Sequence, residues 1–87
     1  MADVVMYATG WCGYCERARA LLDRKGVRYT EIDLESEPER RAEMIERSGR
    51  RTVPQIFIDG QPIGGSEELD ELEASGALDR LLSRGAA

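Results

Sequence analysis

Trp11-Cys12-Gly13-Tyr14-Cys15 holds both cysteines of the chain and lies where one hydrophobic periodicity gives way to another. Before it, Val4-Val5-Met6-Tyr7-Ala8 is a run of β-branched and large apolar residues. After it, Cys15-Glu16-Arg17-Ala18-Arg19-Ala20-Leu21-Leu22 is built from good helix formers, with Ala18, Leu21 and Leu22 on one face. The pattern predicts a strand, a turn carrying the cysteines, and a helix. The first turn of a helix presents unpaired backbone N–H groups and the positive end of the peptide dipoles, so a sulfur anion at Cys12 is stabilised there. Three residues on, Cys15 returns to nearly the same face one turn deeper, within disulfide reach. Cys12 is therefore expected to attack and Cys15 to resolve.

Two plainer uses of the pair stand beside that one. Half of a zinc site is the first, but the chain has no histidine and no further cysteine, so closing a tetrahedron would need a second chain or acidic ligands. A buried, inert pair is the second, since free cysteine is often a core residue. Trp11 and Gly13 around the pair are not what a routine buried helix start needs, and the motif is read as a redox pair.

Working outward, Lys25-Gly26 supplies a cationic last turn and a glycine suited to a left-handed cap, which ends the first helix. Val27-Arg28-Tyr29-Thr30-Glu31-Ile32-Asp33 alternates and carries β-branched and aromatic residues, so it reads as a second strand, parallel to the first across the intervening helix. Ser36-Glu37-Pro38-Glu39 has the form of a capping box with an early proline, and predicts a second helix to about Arg47, closed by Ser48-Gly49, with Ala42, Met44 and Ile45 as its thin apolar side. Gln55-Ile56-Phe57-Ile58, Asp59-Gly60 and Gln61-Pro62-Ile63 form a hairpin, because Asp-Gly favours a type I′ turn. Pro62 lacks a ladder donor and places its strand at the sheet edge. Gly64-Gly65 allows unusual backbone angles or close ligand approach, and Ser66-Glu67-Glu68-Leu69 opens a third helix with Leu69 and Leu72 on one face. Gly76 breaks it. Leu78, Leu81 and Leu82 mark a last short helix before a frayed tail, residues 83–87.

The 87 residues suffice for one domain, 1–87, with a single modest core and no internal repeat. Hydrophobic residues at 41% and charged residues at 33% are an ordinary globular balance, with no apolar run near the ~20 residues of a membrane span. Met1-Ala2-Asp3 lacks the basic start of a signal peptide, and a cytoplasmic location is expected, where a Cys-x-x-Cys is more often catalytic than structural. A net charge of −5 argues against general nucleic-acid affinity. One local basic run, Arg47, Arg50 and Arg51, is placed to attract an anionic ligand, with a solvated surface as the plainer reading.

A βαβ unit with Cys-x-x-Cys at its first strand-to-helix turn, then a helix and a ββα unit, resembles the thioredoxin fold: α/β, a four-stranded mixed sheet flanked by helices. In detail it resembles a glutaredoxin over nearly the whole chain, through Cys12-Gly13-Tyr14-Cys15, Thr52-Val53-Pro54-Gln55-Ile56-Phe57-Ile58 and Gly64-Gly65-Ser66-Glu67-Glu68-Leu69. The resemblance implies a glutathione-dependent thiol-disulfide oxidoreductase that reduces protein disulfides and glutathione mixed disulfides. It implies a redox-active disulfide between Cys12 and Cys15, and glutathione binding by Tyr14, Thr52, Val53, Pro54, Gly65, Ser66 and Glu67. Pro54 resembles the family's cis-proline, which would set the Val53 backbone beside the active sulfur so that an extended thiol substrate pairs with it like a strand. Gly65, Ser66 and Glu67 resemble the family's site for the γ-glutamyl end of glutathione, where helix amides would accept its carboxylate and the Glu67 side chain would meet its ammonium.

The chain departs from the family pattern where Ala8-Thr9-Gly10 replaces a frequent lysine and Gly13 replaces proline. Trp11-Cys12-Gly13-Tyr14-Cys15 is also similar to mycoredoxins, which use another small thiol. Thioredoxin itself is disfavoured by the short chain, by Tyr14 and by the Gly-Gly-Ser-Glu site. A monomer needing no metal is expected, with one alternative: a [2Fe–2S] cluster carried between two subunits, with Cys12 and glutathione as ligands.

Overall fold

The computed structural model describes residues 2–83. Strand β1 (Val4–Ala8) leads into helix α1 (Gly13–Arg24), followed by β2 (Thr30–Asp33), a 3-10 turn (Pro38–Arg40) and α2 (Arg41–Ser48). The second half is β3 (Gln55–Ile58), β4 (Gln61–Gly64), α3 (Ser66–Ser75) and α4 (Ala77–Ser83). The four strands form one mixed sheet in the order β2-β1-β3-β4, with β1 parallel to β2 and antiparallel to β3, and β3 antiparallel to β4. This is the thioredoxin-like arrangement, βαβ then ββα.

Strand alternation sorts the core onto the two faces of the sheet. Val4, Met6, Ala8, Ile56 and Ile58 pack with Ala18, Leu21 and Leu22 of α1, Leu69 of α3 and Leu78 of α4. Tyr7 and Phe57 point the other way and pack with Ile32, Leu34 and Met44 of α2. Because helices cover both faces, all four residues of β3 are buried. The edges of α1 are tied by charge: Arg17 to Asp70 at 2.8 Å, and Lys25 to Glu73 at 2.6 Å and Asp79 at 2.9 Å.

Turn chemistry sets the boundaries. At the end of α1, the Gly26 amide donates to the Asp23 carbonyl at 3.0 Å and the Val27 amide to the Leu22 carbonyl at 3.3 Å, with Gly26 at φ 69°. That is a complete Schellman cap. It takes up Val27, so β2 begins at Thr30 and not at Val27 as the alternation predicts. The Ser36 hydroxyl binds Asp33 at 2.9 Å and caps no helix; the chain makes one 3-10 turn at Pro38 and α2 starts at Arg41. Of the three apolar residues assigned to α2, Met44 is buried, Ile45 half-buried and Ala42 exposed. Asp59 at φ 52° and Gly60 at φ 81° form the expected type I′ turn, and β4 lies at the edge of the sheet. Pairing shifts by one residue between Ile56 and Phe57, which leaves Ile63 without an opposite partner. Ser83 belongs to α4, and the rest of the expected frayed tail lies outside the described residues.

Candidate active site

Cys12 is the N-cap of α1, with extended backbone angles that turn the chain from β1 into the helix. Its sulfur accepts the Cys15 amide at 3.4 Å, as a capping serine oxygen would, and its thiol faces the Val53 carbonyl at 3.7 Å. The cap position aims the first-turn amide of Cys15 at the Cys12 sulfur, a placement that favours a thiolate there. Cys12 is half-buried and Cys15 is wholly buried; both are free thiols. Burial pushes the Cys15 thiol up to about 11, opposed by the Thr9 amide and assisted by the neighbouring Cys12 sulfur. The two sulfurs thus differ in surroundings: that of Cys12 is partly accessible, and that of Cys15 is buried and held protonated.

The connection that delivers them is pinned from two sides. Arg19 of α1 pairs with both Glu31 oxygens at 2.7 and 2.6 Å and donates to the Thr9 carbonyl at 3.1 Å. The Gly10 amide donates to Glu35 at 2.5 Å. The Trp11 ring is 93% exposed beyond this turn, so it contributes nothing to the core.

Next to Cys12, whose thiol faces the Val53 carbonyl, a groove of about 680 Å³ runs between two walls. One wall is residues 49–54, and the other is residues 65–68 at the start of α3, with Tyr14 at the Cys12 end. The Val53–Pro54 peptide is cis, as the resemblance implies. The walls nearly touch below the groove, where a Cβ on Gly65 would lie 3.2 Å from the Pro54 carbonyl. Gly65, not Ser66, is the N-cap of α3, and its amide is taken by the Glu68 carboxylate at 2.7 Å. The amides of Ser66 and Glu67, at the first two positions of α3, therefore remain the helix-start donors facing the groove. The Ser66 hydroxyl is buried and has no partner among the described residues. Such an orphaned polar group in a groove wall is costly unless a ligand or water meets it.

All seven residues assigned to ligand binding, Tyr14, Thr52, Val53, Pro54, Gly65, Ser66 and Glu67, line this one groove. The basic run divides. Arg47 turns inward, its guanidinium 4.3 Å from the Phe57 ring centre and donating to the Tyr7 hydroxyl at 2.8 Å. The Tyr7 hydroxyl in turn donates to Glu43. Arg50 and Arg51 do line the groove. Both are exposed, and Arg50 is also engaged by Glu68 at 2.8 Å. Glu68 is the groove residue that sequence reasoning missed; its spacing three residues after Gly65 is the capping-box signal that could have found it. Among the described residues, no group of three or more His, Cys, Asp or Glu side chains is placed to hold a metal ion. No helix among them is long and apolar enough to cross a membrane.

Comparison with known proteins agrees with this geometry. A glutaredoxin family model matches residues 4–63. The chain is 54% identical to glutaredoxin 3 of Escherichia coli over 82 residues, covering 94% of this chain and 99% of that protein. It is 51% identical to a glutaredoxin of Pseudomonas aeruginosa over 83 residues, covering 95% and 99%. The structure of a buckwheat glutaredoxin–glutathione complex superposes with a TM-score of 0.91 at 35% identity, covering 99% of this chain and 81% of that one.

Proposed function

Since the chain belongs to the glutaredoxin family and is a thiol-disulfide oxidoreductase, we propose that glutathione is its electron donor and occupies the groove beside Cys12. The observation that carries this reading is the groove itself: on one wall Val53, whose carbonyl meets the Cys12 thiol, and on the other the start of α3 with its first-turn amides. The γ-glutamyl carboxylate of glutathione supplies the anion for the Ser66 and Glu67 amides, and its ammonium lies within the field of the exposed Glu67 carboxylate. The extended middle of the tripeptide pairs with the Val53 backbone, and its sulfur meets Cys12. The similarity to a glutaredoxin solved with glutathione supports the same assignment.

In the first step the Cys12 thiolate attacks a disulfide sulfur of an oxidised or glutathionylated protein, and the other sulfur leaves as a thiolate. From a glutathionylated protein this yields a Cys12–glutathione mixed disulfide. A second glutathione then attacks that bond, releasing oxidised glutathione and returning Cys12. From a protein disulfide the mixed disulfide is instead resolved by Cys15, which displaces the reduced protein and closes Cys12–Cys15. Two glutathione molecules then reopen that disulfide, so two electrons pass in either route. A reducing compartment, the cytoplasm, keeps the pair as the free thiols this cycle starts from.

The test separates the two sulfurs. Cys12→Ser abolishes all activity, while Cys15→Ser retains deglutathionylation of a glutathionylated peptide and loses reduction of protein disulfides. Equal loss in both variants refutes the division of labour. Running the wild type with glutathione and with a chemically different small thiol tests the donor.

Gly13 favours a second reading. A Cβ there would have no neighbour within 4 Å, and no unusual backbone angle requires glycine, so neither packing nor conformation demands it. Unlike a proline, Gly13 keeps an amide N–H next to Cys12, a donor that the sulfur of a [2Fe–2S] cluster between two subunits would accept. One chain alone cannot hold such a cluster; the ligands would be Cys12 of each subunit and two glutathione thiolates, and the cluster would supply electron or iron–sulfur carriage. Anaerobic reconstitution with iron, sulfide and glutathione then gives a brown dimer that Cys12→Ser prevents; a colourless monomer refutes it.

A further inference from the structure

We propose that Arg50 and Glu68 form a strut that sets the separation of the two groove walls and the register of the bound carboxylate, positioning glutathione through the walls it joins. The proposal rests on the glutathione reading above. Arg50 follows the left-handed Gly49 at the end of α2, and so belongs to the wall made by residues 49–54. Glu68 is the third residue of α3 and belongs to the opposite wall. One oxygen, Glu68 Oε1, receives both the Arg50 Nη1 at 2.8 Å and the Gly65 amide at 2.7 Å. A single atom therefore ties the loop after α2 to the start of α3.

The backbone beneath is shaped for this contact. Gly64 has φ 116°, and a Cβ on it would lie 2.7 Å from Glu68 Oε1, 2.9 Å from Glu68 Cγ and 3.0 Å from Arg50 Nη1. This is the tightest approach at any glycine among the described residues, and it lets the pair lie directly on the end of β4. Arg50 and Glu68 also line a smaller cavity of about 300 Å³ with Ser48, Gln55 and Pro62, so the pair forms the partition between that cavity and the groove. The Gly65 amide and the Arg50 nitrogen both hold the Glu68 carboxyl below its usual range, so it is ionised whenever the groove is occupied at neutral pH.

Two consequences follow for the ligand. Glu68 occupies the Gly65 amide, so an incoming carboxylate is left the amides of Ser66 and Glu67. Arg50 gives its Nη1 to Glu68 and is held against the opposite wall, whereas Arg51, also exposed, lines the groove beside it.

The test exploits a difference of sign. If Arg50 and Glu68 acted on glutathione only through their charges, Arg50→Met would weaken binding of this anion and Glu68→Gln would strengthen it. A strut requires both variants to weaken it. Glu68→Gln keeps an amide oxygen for the Gly65 cap and so isolates the loss of the ion pair. Both single variants are expected to raise the KM for glutathione on the order of threefold, the scale of a partly exposed pair, with kcat at saturation within about twofold. The double variant adds nothing further, and Arg50→Lys restores most of the loss. Opposite shifts in the two variants, or no shift in either, overturn the strut. A wild-type chain that does not saturate with glutathione refutes the glutathione reading instead. The strut is then read from amide hydrogen exchange over residues 49–53 and 65–68, where faster exchange in both variants supports it and unchanged exchange refutes it.

Discussion

The resolving step should be strongly pH-dependent, because Cys15 is wholly buried and its thiol is pushed up to about 11. Only a thiolate attacks a disulfide, so the rate at which Cys15 displaces a partner from Cys12 follows the fraction of Cys15 that has lost its proton. With a pKa of about 11 that fraction is roughly one in 30,000 at pH 6.5 and one in 300 at pH 8.5, a hundredfold rise over two pH units. In the mixed disulfide the Cys12 sulfur carries no charge, so its upward push on Cys15 is gone. Burial, the largest cause, remains, and the slope stays near one decade per pH unit. The assay is rapid mixing of reduced protein with excess oxidised glutathione, acid quenching, and mass measurement of the mixed disulfide against the internal disulfide. Trp11, exposed and next to Cys12, offers a fluorescence signal for the same step. In Cys15→Ser the mixed disulfide should persist. A resolving rate that is flat between pH 6.5 and 8.5 would mean that Cys15 is already ionised, and would refute the assignment of roles from burial.

Other outcomes follow from single residues. Glu67→Gln removes a charge at constant shape on an exposed helix start, and is expected to raise the glutathione concentration at half-saturation about fivefold with little change in kcat; no change would leave Glu67 as a dipole partner of α3 only. Leu69→Ala empties a fully buried site between α3 and the sheet, and should cost about 3 kcal/mol and lower the melting temperature by more than about 10 °C by calorimetry. Gly13→Ala should be neutral or stabilise by about 0.5 kcal/mol, since its Cβ meets nothing and alanine restricts the unfolded chain; a marked loss of stability would show that the glycine is structural after all.

What could be read from the chain, and what could not, divides along a physical line. The type I′ turn at Asp59-Gly60 and the caps at Gly26, Gly49 and Gly76 are local, so residue type alone predicts them. The second strand was placed too early because Val27 is β-branched and apolar, yet its amide closes the Schellman cap of α1. Ser36 met the capping pattern but found Asp33 nearer. Arg47 could not be told from a surface arginine, because its partners, Tyr7 and Phe57, arrive from strands 40 and 10 residues distant in sequence. The cis form of Val53–Pro54 was legible only through the family resemblance, since nothing in the flanking residue types selects it. The ligand groove was legible as separate motifs, but the Arg50–Glu68 contact that joins its walls is a tertiary pairing with no local signature.

The shifted pairing near Ile63 and the placement of Pro62 in β4 bear on how this protein behaves among other chains. An open sheet has two rims, and each is a template on which a stray strand could add. Here β4 cannot present a regular ladder, because Pro62 offers no donor and the pairing slips by a residue beside it. The other rim, β2, is only four residues long, and its exposed Glu31 is drawn into a pair with Arg19. On the proposed function, in which extended thiol substrates pair with the Val53 backbone, the same segments must be kept from assembling along the flanks of the sheet, and these short, interrupted rims discourage that.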